Sequence, residues 1–500
     1  MSITTHNLPQ RYVYLVLTVV WLFSGGACTR LEKPTPPVID TPSQAAIGVR
    51  GGTVSYRMIS SPTTFNYLVA SDEPTAVTSF FLLQSRLLDF DHRNRTYVPA
   101  LAESWRVGPD GRTVDLILRE GLTFSDGDPL TGEDVVFTLR AIYDERTGAA
   151  AFRDSLLISG EPIDAKAFDN RHVQLIFPRR VAAVENYLVN FAILPSHVLK
   201  EHLESGNLAK VWKIDSDPRS VVTSGPFVVQ SATPGERITL ARNPHYWKKD
   251  SSGIQLPYLD KLVLRIIEDP NNTLSKLLQN DVDIVDRIRP ADYASLVSGT
   301  ASQKPVDMGP GMATDYLWFN LNKNKISGER LDDKPKFRWF SDNRFRKAVS
   351  HAVDRTTIAS TTLRGLATPL YGFISPASHG WADPNIPKID FDLEKASKLL
   401  IAAGFTLKES DTARELFDAE GNLVEFTLLL PAGNEPRQLM ASIIQQDLAR
   451  LGIKMSIAPI EIQGLSERWA RSFDYDAVLL GLAVTDFEPS SFANFLLSSG

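Results

Sequence analysis

The chain has 500 residues, 43% hydrophobic and 9% aromatic, with 53 basic and 59 acidic side chains for a formal net charge of −6. That supplies apolar side chains for two or three ordinary cores, and the acidic balance excludes a nucleic-acid binder, which needs a basic face. The scattered histidines have no zinc-site spacing, and there is no G-x-S-x-G elbow, P-loop or Rossmann glycine fingerprint, so no catalytic residue, cofactor or metal is expected.

Arg11 precedes an apolar run over 12–23, the length of a signal-peptide core and too short to cross a bilayer. Ser24-Gly25-Gly26-Ala27 then places small residues ahead of Cys28, the only cysteine, as lipoprotein signal peptidase requires; Gly25 stands where leucine is usual. Residues 1–27 therefore read as a lipoprotein signal peptide and Cys28 as the lipidated residue. Residues 28–49, with Lys33-Pro34-Thr35-Pro36-Pro37, read as a semi-rigid tether.

A short strand is expected over 51–57, then a helix over 74–88 with Val77, Phe80, Phe81, Leu83 and Leu87 on its apolar face. Trp105-Arg106-Val107 leads into a turn at Gly108-Pro109-Asp110-Gly111, and 113–118 alternates as a half-buried strand. Turns around Gly121 and at Ser125-Asp126-Gly127-Asp128-Pro129 follow. Thr131, three residues before Asp134, then forms a capping box that opens a helix through Val135, Val136 and Leu139. The section 221–283 reads as a strand pair, a loop, a strand and a helix, with Tyr246 and Trp247 packed under the loop.

Farther on, 316–322 (YLWFNLN) alternates: Leu317, Phe319 and Leu321 face one way, Tyr316, Trp318, Asn320 and Asn322 the other. An amphipathic helix is expected over 343–358, and another over 393–403 stopped by Gly404. A strand over 424–430, a helix over 437–451 ended by Gly452, and a strand over 453–459 form a βαβ unit, which implies parallel pairing.

Pro99, Leu101, Ala102, Ser104, Trp105, Asp110, Gly111, Leu118, Arg119, Gly121, Phe124, Asp126, Gly127, Pro129, Asp134 and Val135 stand in the register of P-x-LA-x-S-W-x-(4)-DG-x-(4)-LR-x-G-(2)-F-x-DG-x-P-(3)-DV. That string resembles the signature of the family 5 extracellular solute-binding proteins, the peptide- and nickel-binding subunits of ABC importers. A second block is similar too: Ser224-Gly225-Pro226-Phe227, Arg242-Asn243-Pro244, Tyr246-Trp247, Pro257-Tyr258-Leu259-Asp260 and Asn280-Asp281-Val282-Asp283. The string RFRKAVSHAVDR resembles the family's RQALNYAIDR element.

The resemblance implies an α/β fold, the two-lobe periplasmic-binding-protein architecture of type II with the extra subdomain of peptide-binding members. Lobe I is expected over 50–312, with the subdomain inserted over about 68–212, and lobe II over 313–500. Family members continue past the equivalent of Gly500, so a C-terminal return to lobe I is expected beyond it. Ligands of such proteins sit between the lobes. The implied function is an extracytoplasmic receptor, anchored through its lipid on the periplasmic side of the membrane, monomeric, and handing short peptides to ABC permease subunits. A non-peptide solute (nickel chelate, opine or oligosaccharide) and a non-transport, chaperone-like lipoprotein are the alternatives.

In peptide-binding members an aspartate after an apolar strand holds the ligand's ammonium, and the strand ending before Asp486-Phe487-Glu488-Pro489 resembles it, although the spacing to Glu488-Pro489 is one residue short. A desolvated ammonium needs a carboxylate partner. Asp486 is the candidate for that role, with capping of the turn before Pro489 as its other reading. Phe487, Gly433, Asn434, Trp318 and Asn320 are further ligand candidates, the aromatics serving equally as core packing. Arg437 either binds a ligand carboxylate or is an exposed residue at a helix start.

Overall fold

The computed structural model describes residues 48–91, 94, 96–299, 304–325, 327–378, 381–410 and 414–483. The expected signal peptide, Cys28, the tether as far as residue 47, Asp486 and Phe487 lie outside them. Strand β1 (Thr53–Met58) comes first and finds no partner in the segment that follows it. A helix over 73–82 then runs into extended chain, and β2 (Leu88–Asp91) and β3 (Thr96–Pro99) pair as a hairpin. β4 (Ala102–Val107), β5 (Thr113–Leu118), β6 (Asp164–Ala167) and β7 (His172–Ile176) form an antiparallel sheet in the order β4-β5-β7-β6. Helix α1 (Gly132–Tyr143) lies against it, followed by α2 (Ser196–Glu204). The chain returns through β8 (Phe227–Thr233), β9 (Arg237–Arg242) and β10 (Lys261–Ile266), and β10 pairs parallel with β1, giving the order β1-β10-β9-β8. One hydrophobic core runs through both sheets, from Met58 and Phe65 through Leu116 and Phe124 to Leu264.

The expected capping box is present. Both the backbone N–H and the hydroxyl of Thr131 donate to Asp134 Oδ2, at 2.8 and 3.2 Å, and the Ser196 N–H donates to Asp134 Oδ1 at 2.9 Å. One buried carboxylate thus ties the starts of α1 and α2 together. The turn before β5 is likewise closed by Asp110, whose carboxylate accepts from the N–H groups of Arg112 and Thr113 and from the Thr113 hydroxyl.

The two signature blocks prove to be each other's partners. Arg119 donates through Nε to the Ala100 carbonyl at 2.6 Å and stacks over the Trp247 ring at 4.8 Å, joining the first block to the second. Arg242 reaches the carbonyls of Tyr258 and Leu259, and the Asn243 amide donates to the Gly225 carbonyl. These contacts are architectural.

The helix expected over 74–88 stops at Leu82. Beyond it the chain is drawn out by extended pairing: Gly225 and Ile193 N–H groups donate to the carbonyls of Leu83 and Ser85, and Ser85 N–H to Ser224 Oγ. Gly225 is required there, because a Cβ would come within 2.5 Å of the Leu83 carbonyl carbon.

After α3 (Pro270–Leu278) and α4 (Pro290–Ser298), β11 (Ala313–Phe319) begins a second α/β unit. It contains α5 (Pro335–Ser341), α6 (Asn343–Ala352), α7 (Leu393–Ala402), the hairpin of β12 (Thr406–Glu409) and β13 (Arg414–Phe417), then β14 (Glu425–Pro431), α8 (Glu435–Ala449), β15 (Lys454–Ile460) and β16 (Ala477–Ala483). The sheet order is β11-β16-β14-β15, with β14 parallel to both β15 and β16. The βαβ unit is therefore as expected, and Gly452, at φ 78°, ends its helix.

β11 alternates as read over 316–319, but the strand runs Ala313–Phe319 rather than 316–322, and Leu321, expected on the core face, is exposed beyond its end. Leu317 and Phe319 pack into the core with Phe340, Phe345 and Phe426, whereas Trp318 joins Leu429, Leu465 and Val478 on the opposite face. The helix expected over 343–358 breaks at Val353. Asp354 starts a new one there, accepting from Thr357 N–H and hydroxyl, while its own N–H donates to Asp447. Among the described residues no helix is long and apolar enough to cross a membrane.

Candidate ligand site

In open α/β sheets, ligands collect beyond the carboxyl ends of parallel strands, where backbone and side chains converge without neighbours to pair them. Each of the two units offers such an edge. In the first, the carboxyl end of β1 opens into a recess lined by Tyr56, Ile59, Glu73, Val77, Asp286 and Arg287 among others. Arg287 forms an ion pair with Glu73 and stands 3.7 Å from Asp286. Burial, then the neighbouring Asp286 carboxylate, raises the Tyr56 hydroxyl pKa well above its ordinary value. Tyr56 therefore stays neutral and acts as a donor. Burial works against the Arg287 charge, and the Glu73 and Asp286 carboxylates outweigh it.

In the second unit, β14 ends at Pro431 and the chain turns at Gly433, at φ 75°, into α8. Asn434 caps that helix, its side-chain oxygen accepting from the Arg437 N–H at 3.0 Å. Arg437 Nε donates to Asp315 Oδ1 at 2.8 Å, and Asp315 sits opposite Gly481 in the β11–β16 register. The guanidinium lies where a Cβ on residue 481 would stand. Glycine at that position lets a charged pair lie flat across the strand end.

One residue of the first unit, the Arg289 that caps α4, carries a small electrostatic contribution from the second. The Asp292 hydrogen bond raises the Arg289 pKa, with further contributions from Glu435 at the start of α8 and from Asp269. Arg289 belongs to the first unit and Glu435 to the second.

The sequence candidates divide accordingly. Gly433, Asn434 and Arg437 come together at the β14–α8 turn. Asn320 stands apart: it is buried, its amide donates to the carbonyls of Phe473 and Tyr475, and its oxygen accepts from Asn322. Trp318 packs beneath the sheet, 5.3 Å from the Tyr316 ring and 6.4 Å from Trp469. Sequence reasoning did not single out Asp315, Glu73, Asp286 or Arg287; only their positions beside strand ends mark them, and those follow from pairing across distant segments.

Among the described residues one group, Asp126, Asp128 and His197, has the geometry to hold a metal ion. His197 Nε2 lies 2.9 Å from Asp126 and 3.5 Å from Asp128. All three are accounted for by a hydrogen-bonded tie between the turn at 125–129 and α2.

Residues 96–500 match the bacterial extracellular solute-binding proteins, family 5, middle region. The chain is similar to a probable ABC transporter-binding protein of Deinococcus radiodurans, 29% identical over 475 residues that cover 91% of this chain and 78% of that protein. It is also similar to the oligopeptide-binding protein AppA of Bacillus subtilis, 27% identical over 444 residues, 88% of this chain and 75% of that one. The solved structure of AppA in complex with a nonapeptide shares the fold, with a TM-score of 0.69 at 24% identity over 89% of this chain and 82% of that chain.

Proposed function

This chain belongs to the bacterial extracellular solute-binding proteins of family 5, and from that membership we propose that it captures short peptides between its two units and delivers them to an ABC permease. A relative of this chain is an oligopeptide-binding protein, and the family is one of transport receptors, not enzymes. The observation that carries the reading is the pairing of both charge signs at both strand edges: Glu73, Asp286 and Arg287 on one, Asp315 and Arg437 on the other. A peptide is a dipolar chain of alternating donors and acceptors, so a cleft that holds it must supply both signs and both hydrogen-bond senses. Arg437 presents its guanidinium N–H groups to ligand oxygens while Asp315 balances its charge. Gly433 and Asn434 shape the turn that brings it there. Asp486 takes the ammonium and Phe487 walls it. Trp318 packs beneath the sheet, while Asn320, bonded at the opposite end of β11 from Asp315, takes no part in the site. Cys28 carries the lipid that holds the receptor, a monomer, on the outer face of the membrane.

Thermal unfolding with and without defined peptides tests this. A ligand present at a hundred times its Kd stabilises the native state by about 2.7 kcal/mol. A peptide panel is expected to raise Tm, and a matched panel of free amino acids to leave it unchanged. Stabilisation by a sugar or a metal chelate with none by any peptide would overturn the assignment.

A further inference from the structure

The outer helices of the second unit run against the charge of the chain. Between Lys334 and Arg355 the sequence places seven basic and two acidic residues, in a protein whose formal net charge is −6. That segment forms α5 and α6, and its basic side chains meet others from α7. Arg344, at the start of α6, donates to the Ala402 carbonyl at the end of α7. The Asp392 N–H, at the start of α7, donates to the His351 carbonyl near the end of α6. The two helices therefore lie side by side and antiparallel. Each turns an apolar stripe inward, Phe345, Ala348 and Val349 on one and Ala396 and Leu400 on the other. Their outward stripes carry Arg344 and Lys347 on α6 and Lys395 and Lys398 on α7, all exposed and three residues apart on each helix.

Two of these four cations are neutralised locally, Arg344 by Asp342 and Lys398 by Glu394. Among the described residues Lys347 and Lys395 have no carboxylate partner. Exposed apolar side chains bracket them. Ile401, in the last turn of α7, is 63% exposed, and Phe391, two residues before that helix, is 39% exposed with Arg450 over its ring at 5.8 Å. The two stand about 15 Å apart along α7. Free ammonium groups between apolar side chains on a flat pair of helices fit a surface that offers anions and hydrocarbon in one plane. There the apolar groups enter the headgroup layer and the lysines meet phosphates.

We propose that this α6–α7 face docks the receptor on an anionic phospholipid bilayer. The inference rests on the lipid-anchored reading for its setting, since an anchor at Cys28 keeps the receptor beside such a surface, and its test removes the anchor. Docking then fixes how the second unit is oriented on the membrane, which a tether alone leaves open.

Vesicle flotation of the mature receptor, from residue 28 onward with Cys28→Ser, tests it. One set of vesicles is phosphatidylcholine alone and the other is about one-third phosphatidylglycerol. Binding to the anionic set is expected to be about tenfold or more tighter than to the neutral set, and to be lost in about 1 M salt. Lys347→Gln with Lys395→Gln is expected to weaken it about tenfold or more at unchanged Tm, and Lys347→Arg with Lys395→Arg to retain it. Equal binding to both sets, or full binding by the double glutamine variant, overturns the inference and leaves the anchor standing. So does binding to neither set, which leaves the lysines to an acidic protein partner. An acyl mass missing from Cys28 of the receptor isolated from cells overturns the anchor instead, and vesicle binding by the Cys28→Ser form still supports the docking face.

Discussion

The guanidinium of Arg437 lies across the strand end at Gly481, its Nε bonded to Asp315 Oδ1 at 2.8 Å. Three segments far apart in sequence, at 315, 437 and 481, thereby build one charged surface at the mouth of the second unit. The space a Cβ would need is filled by the far end of a flexible side chain, so the fold can yield at this point while the pair cannot stay in place. Gly481→Val is expected to lower peptide affinity about tenfold with little change in Tm. Equal affinity in calorimetry would show that the pair is not part of the ligand surface.

Gly225 gives the contrasting case. There the added Cβ meets backbone, 2.5 Å from the Leu83 carbonyl carbon and 2.7 Å from the Gln84 nitrogen, and nothing flexible can move aside. Gly225→Ala is expected to cost about 1–3 kcal/mol, the range of overpacked cores, read from the midpoint shift in denaturant unfolding. A shift no larger than that of an exposed-surface substitution would contradict the close approach.

Asp134 makes the signature's role measurable. Its carboxylate accepts from Thr131 and from Ser196, so Asp134→Ala frees the helix start and leaves the half-buried N–H groups of both residues without this partner. The expected loss is about 2 kcal/mol, with peptide affinity per folded molecule unchanged. Loss of affinity at unchanged stability would mean that the signature reads the ligand.

Asp110 should report pH. Backbone donors at Arg112 and Thr113, with the Thr113 hydroxyl, lower its pKa from 3.8 to about 2. A depressed carboxylate stabilises the fold above its unfolded pKa, and that contribution fades as pH falls through the folded value. The Tm difference between wild type and Asp110→Asn is therefore expected to be constant near neutrality and to shrink between about pH 4 and 2. A difference that persists unchanged to pH 2 would contradict the turn geometry.

Local signals made much of this architecture readable. Period-two alternation located β5 and β11, the Thr131–Asp134 spacing located α1, and Gly404 and Gly452 marked helix ends. What failed did so where distant chain competed with local preference. The apolar pattern running to Leu87 looked helical, but pairing with Ile193 and Gly225 pulled it straight, and Asp354 restarted a helix that periodicity would have continued. The site was less legible for the same reason. Arg437 could be named from a helix start, whereas Asp315 became its partner only through the β11–β16 register, and the Glu73–Arg287 pair joins residues 214 positions apart.

A peptide held by the two charged strand edges should leave the cell with the receptor. Native mass spectrometry of gently purified, untagged receptor tests it most directly. Added masses that fragment as peptides and are lost on denaturation are expected. Recovery of a sugar, an opine or a metal chelate as the bound species would contradict it.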